Sequence, residues 1–291
     1  MFYWVLKWVL LGPLIKTIFR PYAEGTENVP ETGGAILASN HLSYSDWLFM
    51  PLTIPRRVTF VAKAEYWTTP GVKGWLQRRF FAGAGQVPID RSSASAAAGA
   101  MRTGLKILRN GDLFGIYPEG TRSYDGRLYR GRTGVARLAL EAKVPVIPIA
   151  VIGTDVVAPP GKVYGRYVRP HVRFGKPLDF SRYEGMEDDR FVLRSITDEI
   201  MYEIMSLSGQ EYVDMYATTA RDQHQAAQKA AKAEVKAEEK AAAAAVPEDA
   251  EDPDLEVSHA MLTGDGEASP NGSGPNTADS SQAEHPSRVQ E

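Results

Sequence analysis

The sequence predicts an α/β protein: a single domain with a largely parallel sheet flanked by helices, an interfacial helix ahead of it and a disordered acidic tail behind it. Three observations carry this prediction. Short β-branched runs alternate with helix-like stretches, the first twenty residues are almost wholly apolar and aromatic, and the charge divides along the chain.

The opening segment, MFYWVLKWVLLGPLIKTIFR (1–20), sets Phe2, Tyr3, Trp4, Trp8 and Phe19 among Leu, Ile and Val, with Lys7, Lys16 and Arg20 as its only charges. This is the composition of an interfacial helix, so 1–23 is read as a membrane-interface segment. No uninterrupted apolar run reaches the roughly 18–20 residues a spanning helix needs. Two other readings are a buried amphipathic helix and a signal peptide. Lys7 and Lys16 fall on nearly opposite sides of an ideal helical wheel, Pro13 must kink the helix, and no small-residue cleavage site follows.

The domain itself is placed at 24–215. Its strand candidates are AILASN (35–40), VTFVA (58–62), QVPID (86–90), LFGIY (113–117), VPVIPIAVIG (144–153) and VRPHVRF (168–174). Helix-like stretches at 45–52, 70–81, 92–109 and 131–143 separate the first five. Such alternation is the mark of a buried parallel sheet. A last amphipathic helix is expected over about 187–207, with Phe191, Ile196, Ile200, Ile204 and Leu207 as candidate core positions. Residues 216–291 are read as a tail: Ala, Lys, Glu and Gln up to Ala245 allow a helix with little to bury, and the acidic remainder lacks the hydrophobes to offset its ordering entropy.

Composition excludes several chemistries. With no cysteine in 291 residues there is no disulfide, thiolate nucleophile or cysteine-ligated metal. Residues 1–220 hold 27 Lys and Arg against 21 Asp and Glu, and 221–291 hold 6 against 15. A mildly basic body suits an anionic ligand or a membrane surface, and is too sparsely charged for a nucleic-acid binder.

The residues that end the strands are the informative ones. His41 follows AILASN, Lys63 follows VTFVA, Asp90 and Arg91 follow QVPI, and Pro118-Glu119-Gly120-Thr121-Arg122 follows LFGIY. A parallel sheet brings all of these to one edge, where open α/β folds place ligands. A strand-to-helix turn can fold Asp46 back onto His41, fixing the ring's tautomer and leaving the other nitrogen as a general base. No GxSxG elbow supplies a nucleophile, so the substrate must bring a hydroxyl. A metal held by His41 and Asp46 is the competing reading, with no clustered third ligand to support it. Arg91 and the start of the following helix outline a phosphate site. The absence of GxxxxGK[ST] and GxGxxG turns it away from nucleotides and toward a phosphate monoester on a smaller or lipid molecule.

Four blocks, NHLSYSD (40–46), VPIDR (87–91), YPEGTRS (117–123) and VPVIPIAV (144–151), together resemble the glycerolipid acyltransferases, in particular the 1-acylglycerol-3-phosphate O-acyltransferases. The resemblance covers roughly residues 24–180. It implies that His41 deprotonates an acceptor hydroxyl and Asp46 orients it. It also implies that Arg91 and Glu119, Gly120, Thr121 and Arg122 bind the glycerol phosphate, with Lys63 near the phosphate and the last block shaping the acyl side. The acyl donor would be a thioester of coenzyme A or acyl carrier protein, with no further cofactor and no metal, and the acceptor lysophosphatidic acid, at the cytoplasmic face of a membrane. The segment YWTTPGVKGWLQRRFF (66–81) either deepens the membrane contact or packs on the sheet. A related lysolipid or glycolipid acceptor, and a non-catalytic lipid- or anion-binding module, are the rival readings.

Overall fold

The computed structural model describes residues 2–89, 96–159 and 165–244. A first helix, α1 (Phe2–Phe19), leads into β1 (Tyr22–Glu24) and then β2 (Ala35–Ser39), α2 (Asp46–Thr53), β3 (Val58–Lys63), α3 (Gly71–Gly83) and β4 (Gln86–Ile89). There follow α4 (Ala96–Arg109), β5 (Leu113–Ile116), β6 (Leu128–Tyr129), α5 (Gly134–Ala142), β7 (Val146–Ile152) and β8 (His171–Phe174). The last elements are α6 (Arg190–Ser208), β9 (Tyr212–Val213) and α7 (Ala217–Ala244).

Seven strands form one sheet in the order β1-β8-β7-β2-β5-β3-β4. From β7 to β4 every pairing is parallel, as the alternation predicts, whereas β8 runs antiparallel to β7. Strand residues alternate between two apolar faces, as a period of two requires. Ile36, Ala38, Phe114 and Val146 face Leu138 of α5 and Ile196, Ile200 and Ile204 of α6, while Ala35, Leu37, Phe60 and Ile147 face Met50 of α2. The sheet is therefore buried on both sides, and its C-terminal edge is left for loops.

Three short strands, β1, β6 and β9, escape a periodicity test because two or three residues hold too little pattern. The expectation for α6 is corrected at one end: Asp189 caps the helix by accepting from the Phe191 and Val192 amides, which places Phe191 in the first turn, 89% exposed. The buried stripe runs through Leu193, Ile196, Ile200 and Ile204, at the spacing of three and four that a helix face demands. Ala217 and Ala220 at the start of α7 are buried against Tyr129.

In α1 the distortion lies upstream of Pro13, in a π-turn over Leu6–Leu10 where the Leu11 amide bonds the Leu6 carbonyl. One inserted residue rotates the helical phase by about 100°. Lys7 and Lys16, opposite each other on an ideal wheel, consequently both approach the Trp8 ring, at 5.4 and 4.8 Å. Lys7 is only 4% exposed and donates to the Ile54 and Arg56 carbonyls at 2.6 and 3.1 Å, with burial pulling its pKa down to about 8. As an 18-residue helix of mean hydropathy 1.4, α1 is long and apolar enough to cross a bilayer, contrary to the expectation from uninterrupted runs alone. It nevertheless lies along the domain, burying Tyr3, Leu6 and Ile15 and leaving Trp4, Trp8, Val9, Leu10, Leu14 and Ile18 exposed.

Candidate active site

Strand β2 ends at Ser39, but its ladder is continued by a side chain. Asn40 is buried, and its amide donates to the Val151 carbonyl at 3.0 Å and accepts from the Val151 amide at 2.7 Å. The Asn40 backbone is thereby freed to turn out of the sheet, which puts His41 on the edge.

Asp46, the first residue of α2, is fully buried. One of its oxygens, Oδ2, accepts from His41 Nδ1 at 2.8 Å and from the Leu42 and Ser43 amides at 2.8 and 2.9 Å. Its place in the first turn of a helix also favours the negative charge. A carboxylate can only accept, so Nδ1 carries the proton and Nε2 presents its lone pair. Among the described residues Nε2 makes no hydrogen bond, and the His41 side chain is 17% exposed. The five-residue spacing thus closes as a strand-to-helix turn, as expected.

The second wall comes from the segment after β5. Tyr117 stacks flat on His41 with ring centroids 3.9 Å apart, and is itself backed by Phe60. Gly115 permits this, since a Cβ there would stand 2.3 Å from the Phe60 ring. Next, the Ser123 amide donates to the His41 carbonyl at 2.8 Å, tying the Glu119–Arg122 turn to the His41 turn. Gly120 has φ +76, a left-handed conformation that strains other residues, and a Cβ there would meet the Arg132 side chain.

Of the sequence-predicted residues, His41, Asp46, Gly120, Thr121 and Arg122 come together at this edge. Glu119 is buried rather than open to solvent: it is 1% exposed, and Oε1 accepts from the Tyr129 amide at 2.9 Å. Burial pushes its pKa up to about 8, although the Tyr129 and His41 amides partly oppose this and the Asp46 and Asp125 charges add to it. Glu119 is a bracket beneath the site. Lys63 closes β3 by pairing with Ile89, whereas its side chain, Asp90 and Arg91 lie outside the described residues.

Sequence reasoning did not single out Asn40, Tyr117, Arg132 or Gln210. Tyr117 and Asn40 sit inside the quoted blocks, where their position at a strand end is a usable signal. Arg132 is an exposed cation beside Gly120, stacked on Tyr216 at 5.3 Å. Its position depends on the return of the C-terminal segment, for which the sequence carries no local sign.

The domain is a mainly parallel sheet that carries the His41–Asp46 pair at its C-terminal edge. Residues 20–152 match the family model described as Acyltransferase. The chain is 31% identical over 148 residues to the chloroplastic 1-acyl-sn-glycerol-3-phosphate acyltransferase LPAT1 of Arabidopsis thaliana, covering 50% of this chain and 40% of that one. It is 31% identical over 150 residues to the mouse 1-acyl-sn-glycerol-3-phosphate acyltransferase alpha, covering 50% of each. Among solved structures it resembles the 1-acyl-sn-glycerophosphate acyltransferase PlsC of Thermotoga maritima, with TM-score 0.51, 27% identity, and 67% and 75% of the two chains covered. The chain spans about half the length of the curated relatives it matches.

Proposed function

We propose that this chain transfers a fatty acyl group from a thioester of coenzyme A or acyl carrier protein to the free hydroxyl of 1-acylglycerol 3-phosphate, giving phosphatidic acid at a membrane surface. The observation that carries the proposal is the His41–Asp46 pair: a buried carboxylate fixes the imidazole tautomer and leaves Nε2 without a hydrogen-bond partner among the described residues. The names of the relatives support the acceptor.

In this reading Nε2 takes the acceptor's hydroxyl proton as its oxygen attacks the thioester carbonyl carbon. A tetrahedral oxyanion forms, and Asp46 stabilises the imidazolium. Collapse breaks the carbon–sulfur bond, the ester is released, and the departing sulfur takes the proton from Nε2. Arg122 and the 119–122 turn supply positive charge and backbone N–H groups on the acceptor side, with Arg132 beside them. The exposed aromatic face of α1 supports docking on the bilayer that holds both amphiphiles. Val72, Trp75 and Leu76 of α3 are exposed as well, while Phe80 and Phe81 pack on Trp47. The segment 66–81 therefore has both a packed and an open side.

The test is mass spectrometry of products from purified protein given one acyl thioester and a panel of lysolipids, with His41→Ala and Asp46→Asn alongside. Phosphatidic acid is expected, with kcat reduced about 10²–10⁴-fold in His41→Ala and at least about 10²-fold in Asp46→Asn. A folded His41→Ala protein retaining more than about a tenth of wild-type kcat would remove the general base.

A further inference from the structure

The turn that carries His41 is held from the far end of the chain. Helix α6 stops at Gly209, whose φ of +70 reverses the backbone and delivers Gln210 to the sheet edge. There the Asn40 amide donates to Gln210 Oε1 at 2.7 Å, and Gln210 Nε2 donates to the Gly126 carbonyl at 2.6 Å. One side chain thus spans the residue immediately before His41 and the loop that follows the Glu119–Arg122 turn. Backbone contacts continue the clamp: the Leu128 amide bonds the Glu211 carbonyl, β6 pairs with β9, and the Arg130 amide bonds the Met215 carbonyl. Tyr129, whose amide holds Glu119, lies inside that clamped stretch. The half of the clamp that runs from Gly209 to Met215 lies C-terminal to the 20–152 family match.

We infer that Gln210 is a positioning residue that sets the spacing between the His41 base and the acceptor-side turn. Asn40 has little freedom of its own, since its amide already bridges both Val151 groups, so Gln210 takes its second N–H. Without Gln210 that buried N–H loses its partner and the 124–127 loop loses its tie to β2. The two turns then rely on the contacts at His41 itself: the Ser123 amide on its carbonyl, its own amide on Glu119, and the Tyr117 stack. A displacement of about 1 Å between base and substrate can cost roughly 10²-fold in rate, so the effect belongs in kcat.

The inference rests on the reading of His41 as base, and the experiment separates the two. Full-length wild type, His41→Ala, Gln210→Ala and Gln210→Glu are compared for kcat, for the KM of the thioester and for thermal melting. Gln210→Ala is expected to lower kcat about 10-fold or more with the thioester KM within about twofold. Gln210→Glu keeps the acceptor for Asn40 but repels the Gly126 carbonyl, so its kcat should fall between wild type and Gln210→Ala. A Gln210→Ala protein that melts lower yet keeps wild-type kcat overturns the inference, because the residue is then only structural. If Gln210→Ala does not fold, wild-type kcat in Gln210→Glu overturns it equally. An active His41→Ala defeats the general-base reading by itself, and the kcat of the Gln210 variants still decides whether this linker positions the site.

Discussion

The His41 ring lies flat on Tyr117, with centroids 3.9 Å apart and planes 11° from parallel. Asp46 pins the imidazole in its plane through Nδ1, and Tyr117 pins it against rotation out of that plane. Together the two contacts aim Nε2 in a single direction, which is what proton abstraction from a bound hydroxyl requires.

The Tyr117 hydroxyl is buried and closes no hydrogen bond among the described residues, so the ring and not the oxygen should matter. Tyr117→Phe is expected to keep kcat within about twofold. Tyr117→Leu should lose up to about tenfold, since an aromatic pair is worth roughly 0.5–1.5 kcal/mol. Steady-state kinetics on folded protein checks this; equal kcat for Leu and Phe variants would show that the stack does not orient the base.

Glu119 makes stability depend on pH. Its pKa rises from 4.5 to about 8 in the fold, so between those values the native state binds more protons than the unfolded chain and stability falls as pH rises. Glu119→Gln keeps an acceptor for the Tyr129 amide and carries no charge. Its melting temperature should gain on wild type between pH 5 and pH 9, while the Lys7 titration, common to both proteins, cancels in the difference. Melting curves that differ by the same amount at both pH values contradict the assignment.

Arg122 is exposed in the turn joined to the His41 carbonyl through Ser123. A charge-assisted hydrogen bond contributes roughly 1.5–3 kcal/mol, so Arg122→Ala should weaken use of lysophosphatidate by about 10–150-fold. A neutral monoacylglycerol should feel the change much less. Equal losses on the two acceptors would make this arginine a structural residue.

The open face of α1 should be the membrane contact. Burying a large apolar side chain is worth about 1.5–3 kcal/mol, so Trp8→Glu and Leu14→Glu should each reduce binding to anionic liposomes at least tenfold or so. Both residues are exposed, so folding should be spared. Flotation assays measure it directly, and unchanged flotation of the double variant would mean that another surface holds the lipid.

Much of this architecture was readable in advance because its code is local. Short runs rich in β-branched and apolar residues mark β2, β3, β5 and β7, and a spacing of three and four marks α6. Parallel strands then must send His41 and the Glu119–Arg122 turn to one edge. Where prediction missed, a second local feature overrode the periodicity. Phe191 is apolar yet belongs to a capped first turn, and a single π-turn rotated Lys7 away from where an ideal wheel places it.

By itself, then, the sequence determined the alternation of elements, the blocks that end the strands, and the His41–Asp46 turn, since each depends on residues close together in the chain. Only the tertiary structure decided that Glu119 lies beneath the site, that Tyr117 underlies His41, and that Gln210 crosses 170 positions to hold Asn40. Those contacts exist because packing brings distant backbone polar groups together and burial obliges them to find partners, and no periodicity along the chain records which partner that will be.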